Sequence, residues 1–257
     1  MIIRIILISA ILLEVCTGRA QEFYSADSAK QVEHEQRRHA ETGVGVVISF
    51  KVGAAIPTGS FSSDNVISTD PLDSPGFAKD GIHLGIELEA HSKNLFLFGL
   101  HLDYTSFNYN TEPYEQAIFL DSSLNGFSAG SWRQIQPLLA LGVQHEVGNL
   151  GVELKMLGGV SINQSPETRL NFDYLGIPIT QVQLATNSSS LALGLGFGMR
   201  YHFNSFFLKA YSEYIATTAN FIMETQVLGL GQNFSLSDTY THKLANLRSG
   251  LSIGFKF

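Results

Sequence analysis

The sequence predicts an all-β chain: an eight-stranded antiparallel transmembrane β-barrel, wound as an up-and-down meander over residues 44–257. Three observations predict it. Apolar and polar residues alternate in eight successive runs, each about ten residues or longer, the length of a tilted membrane-spanning strand. The connections between those runs alternate short and long. The chain holds 24 Gly and 18 Phe but no apolar run near 18 residues, which suits strands joined by turns and argues against membrane helices. A formal charge of −7 on 257 residues is too mildly acidic to point to nucleic acid as a partner.

The first residues read as an export signal. Met1 to Arg4 is a short start with one positive charge, Ile5 to Leu13 is apolar, and Gly18-Arg19-Ala20 places small residues before Gln21. A secretory signal peptide over 1–20 has this layout, and the apolar part is too short for a membrane span of ~20 residues. Cys16 is the only cysteine, which rules out an intrachain disulfide. A lipoprotein would carry its lipid on Cys16, but Val15 stands where that processing needs a small residue, so the signal peptide is the favoured reading. Residues 21–43 are polar with mixed charges and read as a periplasmic N-terminal tail.

Each strand follows from its alternation, since successive side chains of a strand point to opposite faces. In the first, Val44, Val46, Ile48, Phe50, Val52 and Ala54 share a face, with Ser49, Lys51 and Gly53 opposite. The second sets Ile82, Leu84, Ile86, Leu88 and Ala90 against His83, Gly85, Glu87, Glu89 and His91. The third opposes Phe96, Phe98, Leu100, Leu102 and Tyr104 to Gly99, His101, Asp103 and Thr105. In the fourth, Ile135, Pro137, Leu139, Leu141 and Val143 face away from Gln134, Gln136, Ala140, Gly142 and Gln144. The fifth sets Leu150, Val152, Leu154, Met156 and Val160 against Gly151, Glu153, Lys155, Gly159 and Ser161. The sixth opposes the odd residues from Leu191 to Phe203 to Gly194, Gly196, Gly198, Arg200 and His202. The seventh sets Phe206, Leu208, Ala210, Tyr214 and Ala216 against Lys209, Tyr211 and Glu213. The last, Asn246 to Phe257, places Leu247, Leu251, Ile253, Phe255 and Phe257 opposite Asn246, Arg248, Gly250, Ser252, Gly254 and Lys256.

Short turns fall at Ser92-Lys93-Asn94, His145 to Asn149 and Asn204-Ser205; long loops fall at about 57–81, 109–131, 163–190 and 222–242. This is the asymmetry of an outer-membrane barrel, with turns and both termini in the periplasm and loops outside the cell. A soluble lipocalin-like barrel also alternates, so the faces decide. The polar face carries Lys51, Glu87, Glu89, Asp103, Glu153, Lys155, Arg200, Lys209, Glu213, Arg248 and Lys256 among glycines, as a narrow lumen requires. These six basic and five acidic residues can pair almost completely, so the lumen is expected to be plugged by a charge network. Aromatics bracket the apolar face: Phe96 and Tyr104, like Phe206 and Tyr214, stand eight positions apart, and Tyr201, Phe203 and Phe255 complete a membrane girdle. Eight residues at ~3.3 Å and a tilt near 40° rise roughly 20 Å, close to the ~25 Å apolar band of such barrels.

The final strand, closing on Phe255 and a terminal Phe257, resembles the C-terminal signature of bacterial outer-membrane β-barrels. The whole of 44–257 is similar to the small outer-membrane barrel family of the OmpA/OmpX type. Lys51–Phe61 (KVGAAIPTGSF) and Gly76–Leu88 (GFAKDGIHLGIEL) resemble the first hairpin of its relatives, and Phe172–Ile179 (FDYLGIPI) resembles a run of PorT-like members. The resemblance implies residence in the cell outer membrane, with outer-membrane lipid and the barrel-assembly machinery, which reads the terminal Phe257, as partners. The resemblance covers the barrel alone, and no peptidoglycan-binding domain is expected with it. Some barrels of this size modify lipid with His and acidic residues, and here His83, His101, Asp103 and His242 are the residues of that type. No catalytic or metal-binding motif frames them, so no catalytic, cofactor or metal residue is assigned. The expected role is non-enzymatic, structural or surface-interacting, with an extracellular partner bound through the loops. Apolar segments at Ala117–Leu120, Tyr174–Ile179 and Val227–Leu230 either extend hairpins above the membrane or pack as a cap. The alternatives are a narrow passive channel, a PorT-like secretion accessory and a lipid-modifying enzyme.

Overall fold

The computed structural model describes residues 44–64, 75–92, 95–113, 116, 124–203, 205–229 and 232–257. The expected signal peptide and N-terminal tail, and the Ala117–Leu120 segment, lie outside the described residues. Gly45–Phe257 is one compact unit. Its described residues form eleven strands: β1 (Val44–Thr58), β2 (Ala78–Ser92), β3 (Phe96–Tyr109), β4 (Leu124–Ala129), β5 (Trp132–Val147), β6 (Leu150–Gln164), β7 (Thr168–Tyr174), β8 (Ile177–Gln183), β9 (Asn187–Phe203), β10 (Phe206–Gly229) and β11 (Gln232–Lys256).

The pairing order β11-β1-β2-β3-β5-β6-β9-β10, with β10 also bonded to β11, closes eight antiparallel strands into a ring. These are the eight runs read from the alternation. Closure runs through the first and last strands, from Val47 opposite Lys256 to Thr58 opposite Ala245. A closed sheet removes the free edges along which an open one associates.

The other three strands correct the expectation of eight strands joined by long loops. β10 and β11 continue as one hairpin to Gly229 opposite Gln232, through the stretch 222–242 expected to be a loop. β8, β7 and β4 add in turn to the upper edge of β10, so that 109–131 and 163–190 also carry strand. The physical reason is that both faces of these upper segments are polar or mixed, so no period-two signal marks them. β7 and β8 meet in a two-residue turn at Leu175 (φ 53°) and Gly176 (φ 82°), two positive-φ residues in a row as a type I′ hairpin requires.

The ring is inside-out by the standard of a soluble fold. Its outward row is exposed and apolar, with Phe98, Leu100, Leu102, Leu139, Leu141, Leu154, Met156, Leu193, Leu195 and Leu251 all at least half exposed. Its inward row buries Lys51, Glu87, Asp103, Glu153, Lys155, Lys209, Glu213 and Arg248 at 3 % exposure or less.

Glycines on the inner wall make room for large side chains from neighbouring strands. A Cβ on Gly254 would overlap the Phe207 ring, and one on Gly53 would sit 2.7 Å from the Tyr211 hydroxyl. Tyr211 therefore lies from β10 across Gly250 and Gly53, the pair that faces across the β11–β1 seam. Gly254→Val is expected to lower stability by ~1–3 kcal/mol through overpacking. Phe207→Ala in the same chain should restore part of that loss, and urea unfolding of the two single variants and the double variant measures it; additive losses would contradict the packing.

Candidate functional site

Among the described residues, the interior is where chemically active side chains concentrate. Ten of the eleven charged residues expected to line it are buried there, five basic (Lys51, Lys155, Arg200, Lys209, Arg248) against five acidic (Glu87, Glu89, Asp103, Glu153, Glu213). The eleventh, Lys256, is a correction. It holds the inward phase of β11 but stands exposed at the end of the strand, where the ring no longer encloses it.

Lys155 on β6 is the hub. Its ammonium lies 2.8 Å from Glu87, 3.2 Å from Glu89, 3.3 Å from Glu153 and 3.4 Å from Glu213. Lys51 on β1 reaches Asp103 at 3.0 Å, Glu213 at 3.1 Å and Glu87 at 3.4 Å. Lys209 on β10 sits between Glu87 and, at 3.0 Å, Glu153. Arg248 on β11 reaches Asp103 at 3.3 Å and also donates to Gln136 and Asn246. At the short-turn end Arg200 donates to Gln144 and faces Glu153 and Glu146, each at 3.7 Å. The ten buried charges come from seven strands, so the network balances only when the ring is closed.

The histidines belong to the same network. His83 Nδ1 is 2.8 Å from the Tyr211 hydroxyl and its Nε2 is 3.2 Å from Asp103. His101 lies 3.2 Å from Glu89, and His91 lies 3.1 Å from the same carboxylate. Two groups, His83–Asp103–Glu213 and Glu87–Glu89–His101, bring metal-ligand atoms within 4.8 Å of one another. In both, a lysine ammonium already occupies the place of the cation: Lys51 on Asp103 and Glu213, Lys155 on Glu87 and Glu89. The geometry is that of a salt-bridged interior rather than a metal site.

Towards the long-loop end the charges give way to an aromatic plug. Phe61 from the turn at 59–61, Phe107, Trp132 and Phe221 are all buried, with Ala55, Ala78, Ala219, Met223 and Leu244 around them. Phe61 meets Phe107 at 4.9 Å and Trp132 at 5.6 Å between ring centroids. Trp132 donates its indole N–H to the Gly76 carbonyl at 2.8 Å, which ties the stretch before β2 into the mouth. His242, placed by the sequence at the outer end of the last strand, is buried against Trp132 and Phe221. The expectation of a lumen filled by charge alone missed this plug. Its signal was present: Phe107, Trp132 and Phe221 hold the polar phase of β3, β5 and β10 on the long-loop side of the charged and amide residues.

Beside the plug runs an uncharged polar column. Gln136 donates to Ser161 at 2.9 Å, Ser161 to Asn163 at 2.7 Å and Asn163 to Ser190 at 3.0 Å, and Ser190 meets Thr217 at 2.6 Å. On the outer wall, Phe96, Tyr201, Phe203, Phe206, Tyr214 and Phe255 of the expected girdle are exposed, and Tyr104 is half-buried. Tyr201, Phe203 and Phe206 form a continuous aromatic contact at the short-turn end, with centroids 4.7 Å and 4.9 Å apart. Phe257, the expected assembly signal, is exposed, and its N–H donates to the Val46 carbonyl at 2.9 Å.

Removing one partner from a buried ion-pair network leaves the other charge uncompensated, at a cost of ~3–5 kcal/mol. Lys155→Met is accordingly expected to lower stability by that amount. Adding Glu87→Gln to it should recover part of the loss, and chemical unfolding curves of the single and double variants check this.

No protein-family model and no curated protein matches the chain. Several solved structures are similar. A major outer membrane protein from Thermus thermophilus aligns at 15 % identity and a TM-score of 0.48, covering 82 % of this chain and 99 % of that one. The outer membrane protein OprG from Pseudomonas aeruginosa aligns at 15 % identity and a TM-score of 0.46, covering 84 % and 97 %. Neisserial surface protein A aligns at 13 % identity and a TM-score of 0.44, covering 84 % and 99 %.

Proposed function

We propose that the chain is an eight-stranded transmembrane β-barrel of the bacterial outer membrane, sealed inside, with a non-enzymatic structural or surface-interaction role carried by its extracellular strands. One observation carries the reading: the inversion of polarity, charges within and a continuous apolar wall without. A belt of exposed Leu, Ile, Val, Phe and Met on every strand of the ring far exceeds the few hundred Å² of contiguous apolar surface that a soluble monomer tolerates. Acyl chains are the solvent such a wall requires. No helix among the described residues is long and apolar enough to cross a membrane, so crossing falls to the strands.

The short turns then lie in the periplasm and the β4–β7–β8–β10–β11 sheet lies outside the cell. The sealed interior rests on two barriers in series, the charge network and the aromatic plug. Interaction through the extracellular sheet is supported by the Phe234 and Leu236 side chains, exposed on the upper part of β11. A second reading, a narrow passive channel, is favoured by the uncharged polar chain from Gln136 to Thr217, which links β5, β6, β9 and β10 beside the charge network.

Cell fractionation should recover the protein in the outer membrane, with a folded band whose gel mobility shifts on boiling; a soluble periplasmic protein with no shift would overturn the barrel. In planar bilayers the wild-type protein is expected to give no stepwise conductance. Steps that survive Trp132→Ala but vanish with Asn163→Leu would establish the channel instead. Leu100→Arg or Leu195→Arg should cost ~2–4 kcal/mol of folding stability in vesicles. Thr239→Arg, on the extracellular part of β11, should cost far less, and equal tolerance at the three positions would contradict the membrane-facing wall.

A further inference from the structure

We infer that the outer wall around Arg133 binds the phosphate of an anionic glycolipid of the outer leaflet, an inference that rests on the membrane reading above. Arg133 lies on the outward phase of β5 and is exposed. Of the four described arginines it alone has no carboxylate: Arg169 pairs with Glu167, Arg200 with Glu153 and Glu146, and Arg248 with Asp103.

Its height on the wall selects the ligand. Two residues below it on the same face is Ile135, exposed to the apolar belt. Across the pairing register stand Ser106 on β3, two residues above the girdle residue Tyr104, and Gln164 on β6, two residues above exposed Ile162. Two residues of a tilted strand rise about 5 Å, so the guanidinium stands one step beyond the last apolar row, at headgroup depth. The neighbouring outward side chains, Ser106, Asn108, Gln164 and Asn187, are uncharged hydrogen-bonding groups. The carboxylates nearest in sequence on β2 and after β3 are Asp80 and Glu112, and Glu112 is held by Lys79 at 2.9 Å.

An arginine fork matches a phosphate with two parallel hydrogen bonds, and the surrounding amides and hydroxyl suit the sugar that carries it. Ile135, Ile162 and Tyr104 beneath supply the contact for the acyl chains. A free soluble phosphate would use only the first of these three features, so the site fits a lipid.

The test uses the full-length folded protein in phosphatidylcholine nanodiscs, titrated with diphosphoryl lipid A, with the same glycolipid stripped of both phosphates, and with inorganic phosphate. Binding is read by native mass spectrometry and by the temperature at which the folded band is lost. Diphosphoryl lipid A is expected to bind and raise that temperature. Arg133→Gln should weaken binding on the order of tenfold while melting like wild type without lipid, and Arg133→Lys should fall between. Equal binding by Arg133→Gln, or equal binding of the phosphate-free glycolipid or of inorganic phosphate, would overturn the site. A wild-type protein that does not enter the nanodisc overturns the membrane reading and this inference together, whereas insertion with binding independent of Arg133 overturns this inference alone.

Discussion

Eight antiparallel strands closed on themselves enclose a space only wide enough for side chains, and whatever points into it must find its partner there. That constraint orders the rest of the molecule. Lys155 can project into the middle of the ring because four carboxylates from β2, β6 and β10 converge on it. Those carboxylates are tolerable because Lys51 and Lys209 share them. The glycines follow from the same shortage of room. Gly196 and Gly198 lie where the stems of Lys155 and Glu153 pass, and Gly254 lies under Phe207. A buried ion pair adds little net stability over an apolar one of the same shape, so the network is better understood as selecting one closed register than as strengthening the fold. With β1 contributing Lys51, β11 contributing Arg248, and both reaching Asp103 on β3, the ions span the seam where first and last strands meet.

The interior divides by height, and the division bears on function. Charges fill the end nearer the short turns, and an aromatic cluster built on Trp132 fills the end nearer β7, β8 and the upper parts of β10 and β11. The turn carrying Phe61 belongs to the first long connection, so that connection is partly folded into the mouth rather than free above it. An ion entering from either side would have to displace paired charges or leave water for an apolar layer. The chain from Gln136 to Thr217 carries uncharged hydrogen bonds around the wall formed by β5, β6, β9 and β10, on the charged side of that layer.

The ring was legible in the sequence because its two faces differ in kind. Leu–Gly–Leu–Gly along Leu193–Gly196, or Glu87 and Glu89 between Ile86, Leu88 and Ala90, can be read as strand with only period two in mind. The phase also fixed which residues meet inside, since inward neighbours on a closed ring have nowhere else to point. What was not legible lies beyond the apolar belt. There β7, β8 and the upper halves of β10 and β11 lose the contrast between faces, and Arg169, Asn171 and Thr180 look like loop residues although they are hydrogen-bonded strand. Trp132 was missed for a different reason. An aromatic at a strand end suits the lipid interface equally well, and only the phase it shares with Gln134 and Gln136 turns it inward. Lys256 is the converse case, with the phase inward but the enclosing wall already ended.

The central claim is that the apolar row faces acyl chains while the charged row faces the interior. Depth-dependent fluorescence quenching tests it most directly. Single cysteines would be introduced in a Cys16→Ser background at Leu100→Cys and Leu195→Cys on the outward row, and at Ser161→Cys on the inward row. Each is labelled with an environment-sensitive fluorophore, folded into vesicles, and exposed to lipids brominated near the acyl-chain midpoint. Strong quenching at 100 and 195 with little at 161 is the predicted result. Absence of quenching at both outward positions, with the labels accessible to aqueous iodide, would contradict it and return the ring to a soluble, ligand-enclosing barrel.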